Sequence, residues 1–424
     1  PMKNNLLYLV ITTFFLFSNE FLLTQPLPPK LPDVGTPVMR LPKLIEESSI
    51  NLKAPKGFEV ELFAENLSSP RWLLILPNDN ILVAQSRTES LPGLPPETVK
   101  ILTKMNLFGP SPNNIIEISN RNGVQKAHPI ISDLNQPFGM IYFKEQLYIA
   151  NTDSILKYNF QNYKINSSPL KILDIPAGPP NNHWTRNIIL NKEMNKILVS
   201  VGSGTNVNEE GTDNIERAAI WEINLDGSEK KLYATGLRNP VGMAYDPFSQ
   251  KLWTTVNERD GLGEFLPPDY FTEVVEDEFY GWPYVYFGIY PDPRQLNINP
   301  LKVKKALTQS RVPDLSLGAH TVPLGLLFHS GKNIDPRYKK GAFIARRGGV
   351  STSELAGYDV IFVPFEDGYP TGEIEVFLSG FIANIDKAEI FGRPVGITEM
   401  NDGSMLVTDD VGGKIWRIHF SEKS

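Results

Sequence analysis

Short apolar runs alternate with polar turns along this chain in a unit that repeats. Gln136-Pro137-Phe138-Gly139 leads into the run Met140–Phe143, a Lys-Glu-Gln turn follows, and a second run covers 147–150. Asn239-Pro240-Val241-Gly242 introduces 243–245 and then 252–255, and Arg393-Pro394-Val395-Gly396 precedes a Met-Asn-Asp-Gly turn at 400–403 and the run 405–408. Ser69-Pro70-Arg71-Trp72 introduces 73–76 and 81–84 in the same way. Two looser copies complete the set: His183-Trp184-Thr185-Arg186 before 187–190 and 197–201, and Val322-Pro323-Leu324-Gly325 before 326–329 and 342–345. Apolar runs of this length joined by turn formers predict β-hairpins.

Hairpins repeated roughly every 50 to 80 residues cannot each bury both faces alone, so they predict a radial array of small sheets. The fold class expected is all-β, a six-bladed β-propeller, with a β-sandwich as the runner-up that leaves the repeated Pro-x-Gly unexplained. Further runs at 155–160, 219–224, 360–364 and 414–420 each follow an inner pair, and the lone run 58–64 is expected to close the ring beside 414–420. Ahead of the repeats, Lys3 and the apolar stretch 6–17 predict a signal peptide or N-terminal anchor over 1–24. A proline-rich linker is expected over 25–50 and the propeller domain over 51–424.

Composition narrows the chemistry. A net charge of -7 with both signs scattered argues against a nucleic-acid partner. The absence of cysteine excludes disulfides, thiolate metal sites, thiol nucleophiles and a haem attachment motif, leaving oxygen atoms or five histidines for any metal.

In a propeller the loops leading into the inner strands gather at one end of the central channel. Those positions hold Arg71, Asn135, Gln136, His183, Arg186, Arg238, Asn239, His320 and Arg393. Repelling cations in one funnel imply an anionic ligand between them. For any single arginine a solvated or acid-paired surface role is the competing reading.

The motifs N-N-H-W-T-R-N-I, G-L-R-N-P-V-G, N-E-R-D-G with P-P-D-Y, F-Y-G-W-P, H-T-V-P-L-G-L, I-F-V-P-F and G-R-P-V-G together resemble the sorbosone dehydrogenase branch of the sugar dehydrogenases dependent on pyrroloquinoline quinone (PQQ). More remotely the chain is similar to soluble PQQ-dependent glucose dehydrogenase. The resemblance runs from about Asn51 to Phe420, and that family's fold is a six-bladed propeller.

The resemblance implies roles for individual residues. His183 matches the general base that takes the proton of a sugar hydroxyl, a task suited to imidazole; from the residues alone a buried, backbone-satisfied histidine is the alternative. Asn182 and Arg186 fall beside the substrate. Arg238 and Asn239 match the pair contacting the quinone, with Arg238 also placed to stabilise negative charge on its oxygen. Arg393 and Arg347 match cofactor-binding cations, in keeping with the preference of guanidinium for carboxylates. The turn 257–261 matches a loop whose backbone carbonyls bind calcium, with Arg259 and Asp260 the candidate ligands and Glu258 nearby. Taken alone that turn is a weak calcium signal. The chain departs from the sorbosone type after the run 341–345: where E-H-G-S-W-N-R is usual, 346–352 reads R-R-G-G-V-S-T, so the substrate wall differs.

The function expected is that of an exported enzyme, periplasmic or secreted, using PQQ and Ca2+ to oxidise an aldose, aldehyde or other polyhydroxylated alcohol by hydride transfer. Its partners would be a small sugar or aldehyde and an external electron acceptor, with membrane contact only through an uncleaved N-terminal segment. Two alternatives stand beside it: a non-catalytic carbohydrate- or protein-binding propeller, and a calcium-dependent lactonase-like hydrolase.

Overall fold

Six sheets built on one plan account for most of the protein. A computed structural model describes residues 39–47, 50–89, 95–104, 107–121, 124–191 and 193–421. The expected signal or anchor segment and most of the proline-rich stretch lie outside these residues. Among the described residues each of the six sheets holds at least four antiparallel strands, laid out in sequence order from an inner strand at the repeated motif, save that the last sheet takes its outer strand from the start of the chain. The second sheet shows the pattern: Met140–Phe143, Gln146–Ala150, Ser154–Asn159 and Leu170–Asp174. The third runs Ile188–Asn191, Lys196–Val201, Ala219–Asn224 and Lys231–Thr235. Second strands such as Ile81–Gln85 and Leu252–Val256 are buried along their whole length, as expected where a strand lies between neighbouring sheets.

The inner strands explain the motif. Each contacts the inner strand of the next sheet, and Pro394–Glu399 of the last returns to Pro70–Ile75 of the first. The glycine of Pro-x-Gly sits where those backbones meet. A Cβ at Gly242 would lie 2.4 Å from Leu324 O, at Gly325 2.5 Å from Val395 O, and at Gly396 2.5 Å from Arg71 O. No side chain fits there. Where glycine is missing the contact is made differently: Asn187 donates from Nδ2 to Val241 O at 2.8 Å, and Trp72 rests on Phe138 with ring centroids 4.6 Å apart. Hydroxyls on the second strands complete the seam, Thr408 accepting from Gly396 N at 2.8 Å while donating to Arg71 O at 2.9 Å. The middle residues of the motif, Phe138, Val241, Leu324 and Val395, meet with Trp184 in one apolar cluster.

Closure follows the expected route. Phe58–Ala64 pairs antiparallel with Lys414–Phe420, the third strand of the last sheet, with Phe58 opposite Phe420. This joins both ends of the domain in one sheet and reduces its exposed edges.

Helices are few and lie in the long connections: α1, Pro96–Lys104; α2, Pro293–Ile298; and α3, Pro300–Gln309. Proline at the first turn suits each, since its missing N–H would be unpaired there anyway. Asp292 caps α2 by accepting from Arg294 N and Gln295 N. Within the stretch expected as linker, Lys43–Leu44 pairs in parallel with Glu389–Ile390, and Leu41 and Leu44 pack on Leu102, Leu107, Phe108 and Val411.

Candidate active site

A cavity of about 610 Å3 opens where the loops before the inner strands meet those after the second strands. His183, Arg238, Asn239, Glu258, Asp260, Arg347 and Arg393 all line it. Asn182, Arg186 and Arg259 do not. A wider recess of about 900 Å3 beside Lys339 and Arg417 gathers none of these residues.

His183 is partly buried, held by the loop that follows Lys196–Val201. Its Nδ1 lies 2.8 Å from Ser203 O and 3.0 Å from Ser203 Oγ, whose own proton goes to Thr205 O at 2.7 Å. Nδ1 therefore carries the proton, an assignment made from its acceptors, and Nε2 keeps its lone pair. Burial, then the guanidinium of Arg238 and more weakly that of Arg217, hold the imidazole well below its usual range against the pull of Ser203 O and Asp260. The ring is neutral at pH 7.

Arg238 is buried and directs four hydrogen bonds at its surroundings. It donates from Nε to Asn206 O at 3.0 Å, from Nη2 to Asn206 Oδ1 at 2.8 Å, and from Nη1 to Glu258 O at 2.6 Å and Asn257 O at 3.2 Å. Asn206 also donates from Nδ2 to Asp260 O at 2.9 Å. The turn expected to carry calcium ligands is thus clamped from the side of the third sheet. Beside Arg238, the Asn239 side chain approaches so closely that a Cβ at Gly202 would lie 2.4 Å from its Oδ1.

One wall of the cavity is acidic. Burial lifts the Glu258 carboxyl to about 7 and that of Asp269 to about 6. Asp269 accepts from Glu258 N and Val322 N, both at 2.8 Å. Partial burial would raise Asp260, but His320, Arg238 and Ser351 outweigh it and bring its carboxyl to about 2. His320 lies 3.2 Å through Nδ1 from Asp260 Oδ1 and donates from Nε2 to Gly263 O at 2.9 Å. Arg259 turns its side chain away into a buried ion pair with Asp292 at 3.3 Å. Among the described residues no three histidine or acidic side chains are grouped to hold a metal.

The facing wall is basic. Arg393 donates from Nε to Arg347 O at 3.0 Å and from Nη2 to Gly348 O. Arg347 donates from Nε to Asp410 Oδ2 at 2.8 Å, and Arg71 shares that oxygen. Burial opposes charge on Asp410, yet Arg347, Arg71 and Arg393 prevail and hold its carboxyl below the usual range. The loop after Gly341–Arg346 shapes this side: Gly348 has φ of 82° and packs so tightly on Tyr358 that a Cβ would lie 2.2 Å from its ring. The sequence departure at 346–352 is therefore a built wall, with Arg346 withdrawn into a pair with Asp359 at 2.6 and 2.7 Å.

The funnel expected from the sequence is only partly a funnel. Arg71 is buried, paired with Asp410 and lying over Phe138 and Trp184 at 5.6 and 5.3 Å. Arg186, with none of its surface exposed, donates to the carbonyls of His183, Thr185 and Pro176. Asn135 and Gln136 line a separate groove. Asn182 is half-buried, its N–H donating to Gly204 O at 3.0 Å. Four residues not singled out from the sequence complete the site: Asn206, Arg217, Asp269 and Asp410. Asp269 stood in the P-P-D-Y motif and Asp410 two residues after the run 405–408, so their positions in the repeat were the available signal.

Comparison with known proteins agrees with this architecture. An uncharacterized protein of Borreliella burgdorferi is 31% identical over 397 residues, covering 89% of this chain and 93% of that one. Among solved structures, a Trichoderma reesei enzyme of carbohydrate-active family AA12 superposes with a TM-score of 0.69 at 18% identity, covering 89% of this chain and 99% of its own. The PQQ domain of a Coprinopsis cinerea pyranose dehydrogenase, in its holo form, gives 0.68 at 17% identity, covering 88% and 98%. A PQQ-bound aldose sugar dehydrogenase of Streptomyces coelicolor gives 0.57 at 14%, covering 87% and 99%. At these identities the structures speak for a shared propeller-type fold. The sequence model of the TrAA12-like family matches residues 52–267 and 301–421, taking in the six sheets apart from the strand Pro268–Glu273, and the chain belongs to that family.

Proposed function

We propose that this protein is a PQQ-dependent oxidoreductase acting on sugars. The observation that carries the reading is the meeting, in one cavity, of a neutral His183 with a free Nε2 and the cations Arg238, Arg347 and Arg393. The AA12, pyranose dehydrogenase and aldose dehydrogenase neighbours support it. We read the six sheets as the blades of a six-bladed propeller over 51–424, and the apolar stretch 6–17 as a signal for export to the periplasm or exterior.

The chain's donors fit such a cofactor. A planar tricarboxylate suits a cavity with guanidinium groups on one wall, where Arg347 and Arg393 would hold carboxylates. Asn239 and Arg238 would hold the opposite edge. The turn at Glu258, Arg259 and Asp260 offers only oxygen, from carboxylates and backbone carbonyls, which suits Ca2+. Bound there, PQQ with calcium supplies a polarised quinone that accepts hydride equivalents.

The protein's own part is positioning and proton transfer. Nδ1–H of His183 is spent on Ser203, so Nε2 is the atom that accepts the proton of the substrate hydroxyl as its carbon is oxidised. Asn182 lies beside this base, and the wall 348–351 shapes the substrate's side. The substrate class is an aldose, aldehyde or other polyhydroxylated alcohol, with electrons leaving to an external acceptor.

The test is calorimetric titration of metal-stripped protein with PQQ, with and without calcium, followed by dye reduction with a panel of aldoses. Calcium-dependent binding and sugar-driven reduction lost in His183→Ala are expected. Absence of PQQ binding under both conditions would overturn the reading.

A further inference from the structure

We infer that Arg217 is a positioning residue that sets both the tautomer and the proton affinity of His183 from beneath the cavity floor. Arg217 follows the loop after Lys196–Val201, is buried, and spends its guanidinium on the backbone that cradles the imidazole. It donates from Nε to Gly202 O at 2.8 Å and from Nη2 to Ser203 O at 2.9 Å, His183 O at 3.0 Å and Asn181 Oδ1 at 2.8 Å. Nη1 reaches Pro180 O at 3.3 Å.

Ser203 O is the decisive atom. It receives Arg217 on one side and Nδ1–H of His183 on the other. A carbonyl fixed in this way holds the imidazole with Nδ1 protonated and Nε2 toward the cavity. Arg186 pinches the same segment from the other side, donating to His183 O at 2.6 Å and to Asn181 Oδ1 at 3.2 Å. Among the described residues neither arginine has an ion-paired carboxylate; Asp213, the acid nearest in effect to Arg217, accepts instead from Gly204 N and Thr205 N, both at 2.8 Å.

Arg217 therefore brings unpaired positive charge close to the partly buried imidazole. The charged groups that act on His183 are Arg238 and Arg217, which oppose its protonation, and Asp260, which favours it. Loss of Arg217 removes a cation and frees Ser203 O together, so tautomer and proton affinity should change in concert.

The inference rests on the reading above only for the use to which His183 is put, and the experiment separates the two. Full-length protein carrying Arg217→Gln and Arg217→Lys is followed by nitrogen NMR of the histidine ring against pH, without cofactor. The pH dependence of kcat/KM and the affinity for PQQ are measured beside it. In the Gln variant the His183 pKa should rise by roughly one pH unit, with Nε2–H becoming populated, while PQQ affinity stays within about twofold, a sign of an intact cavity. The Lys variant keeps the charge without the fork, so its pKa should stay near that of the unaltered chain while the tautomers mix; this also guards against a folding defect. An unchanged His183 titration and tautomer in the Gln variant would overturn the inference. A shifted ring titration with an unmoved acid limb of kcat/KM would uphold it and instead overturn the assignment of His183 as base.

Discussion

Asn206 grips the peptide of Asp260 at both ends, its Oδ1 accepting from Asp260 N at 3.0 Å and its Nδ2 donating to Asp260 O at 2.9 Å. The same side chain and its backbone carbonyl receive Arg238, and that carbonyl also accepts from Trp282 Nε1 at 3.0 Å. One asparagine thus couples the cation proposed to lie beside the quinone to the turn proposed for calcium.

Asn206→Ala should loosen both. Losing hydrogen bonds to a charged partner costs about 1.5–3 kcal/mol, so calcium and PQQ should each bind about tenfold or more weakly, with His183 unaltered in its NMR titration. Calorimetry in chelated and calcium-replete buffer reads the change. Unaltered affinities would show that the turn holds its shape without Asn206.

His183 is held well below the usual imidazole range by burial and by Arg238. If His183 is the base, as proposed, its neutral form is the active one, so kcat/KM should stay level from pH 8 down past 6.5, the ordinary value, and fall only as the medium passes the lowered pKa. His183→Ala should lose about 10²–10⁴-fold in rate with PQQ affinity retained. An acid limb at or above pH 6.5 would contradict the environment described for the ring.

Asp409 is buried, accepts from Arg393 N and Gly412 N at 2.8 Å each, and leaves Oδ2 without a partner among the described residues. Burial pushes its carboxyl up to about 7, against roughly 4 in the unfolded chain. Between those values the folded state binds more protons, so this group lowers stability as pH rises from 4 to 7, by about 2–4 kcal/mol at most. Thermal melts of metal-free protein should show a slope of that sign, flattened in Asp409→Asn.

Gly396→Ala places a Cβ 2.5 Å from Arg71 O. The seam between the last and first sheets should be strained by about 1–3 kcal/mol, with a matching fall in urea midpoint. A neutral result would mean the two strands can part without cost.

The repeated Pro-x-Gly was legible because its cause is local and strict: a backbone meets a backbone, and only glycine fits. His183, Arg238, Asn239 and Arg393 were brought together because they occupy equivalent loop positions that the ring makes converge, and Arg347, legible only through the family resemblance, joins them from the loop after a second strand. Arg186 and Arg259 were not, because sequence position does not say which side of a loop a side chain leaves from. For Arg186 only the structure gives the register: its carbonyl accepts from Gly139 N at 2.9 Å, which sets it level with Phe138, Val241, Leu324 and Val395 on the axis, where the motif read from sequence had Thr185, and Arg71 at the same level is buried too. Apart from Phe58–Ala64, the outermost strands were invisible, as were α1 to α3, their segments being too short or too polar to carry a period. Asn206 and Arg217 work through backbone carbonyls, and such contacts leave no pattern in the chain.

The strand Phe58–Ala64 finds its partner, Lys414–Phe420, some 350 residues further on. During synthesis the first of these leaves the ribosome long before the second exists, and until then the first sheet has no neighbour on one side. Folding of the early sheets is left provisional until residue 420 has emerged, and a ribosome stalled at any point short of it would leave an open arc whose first and last sheets expose apolar faces. If the chain is exported as proposed, that delay would keep the polypeptide threadable while it is still being made.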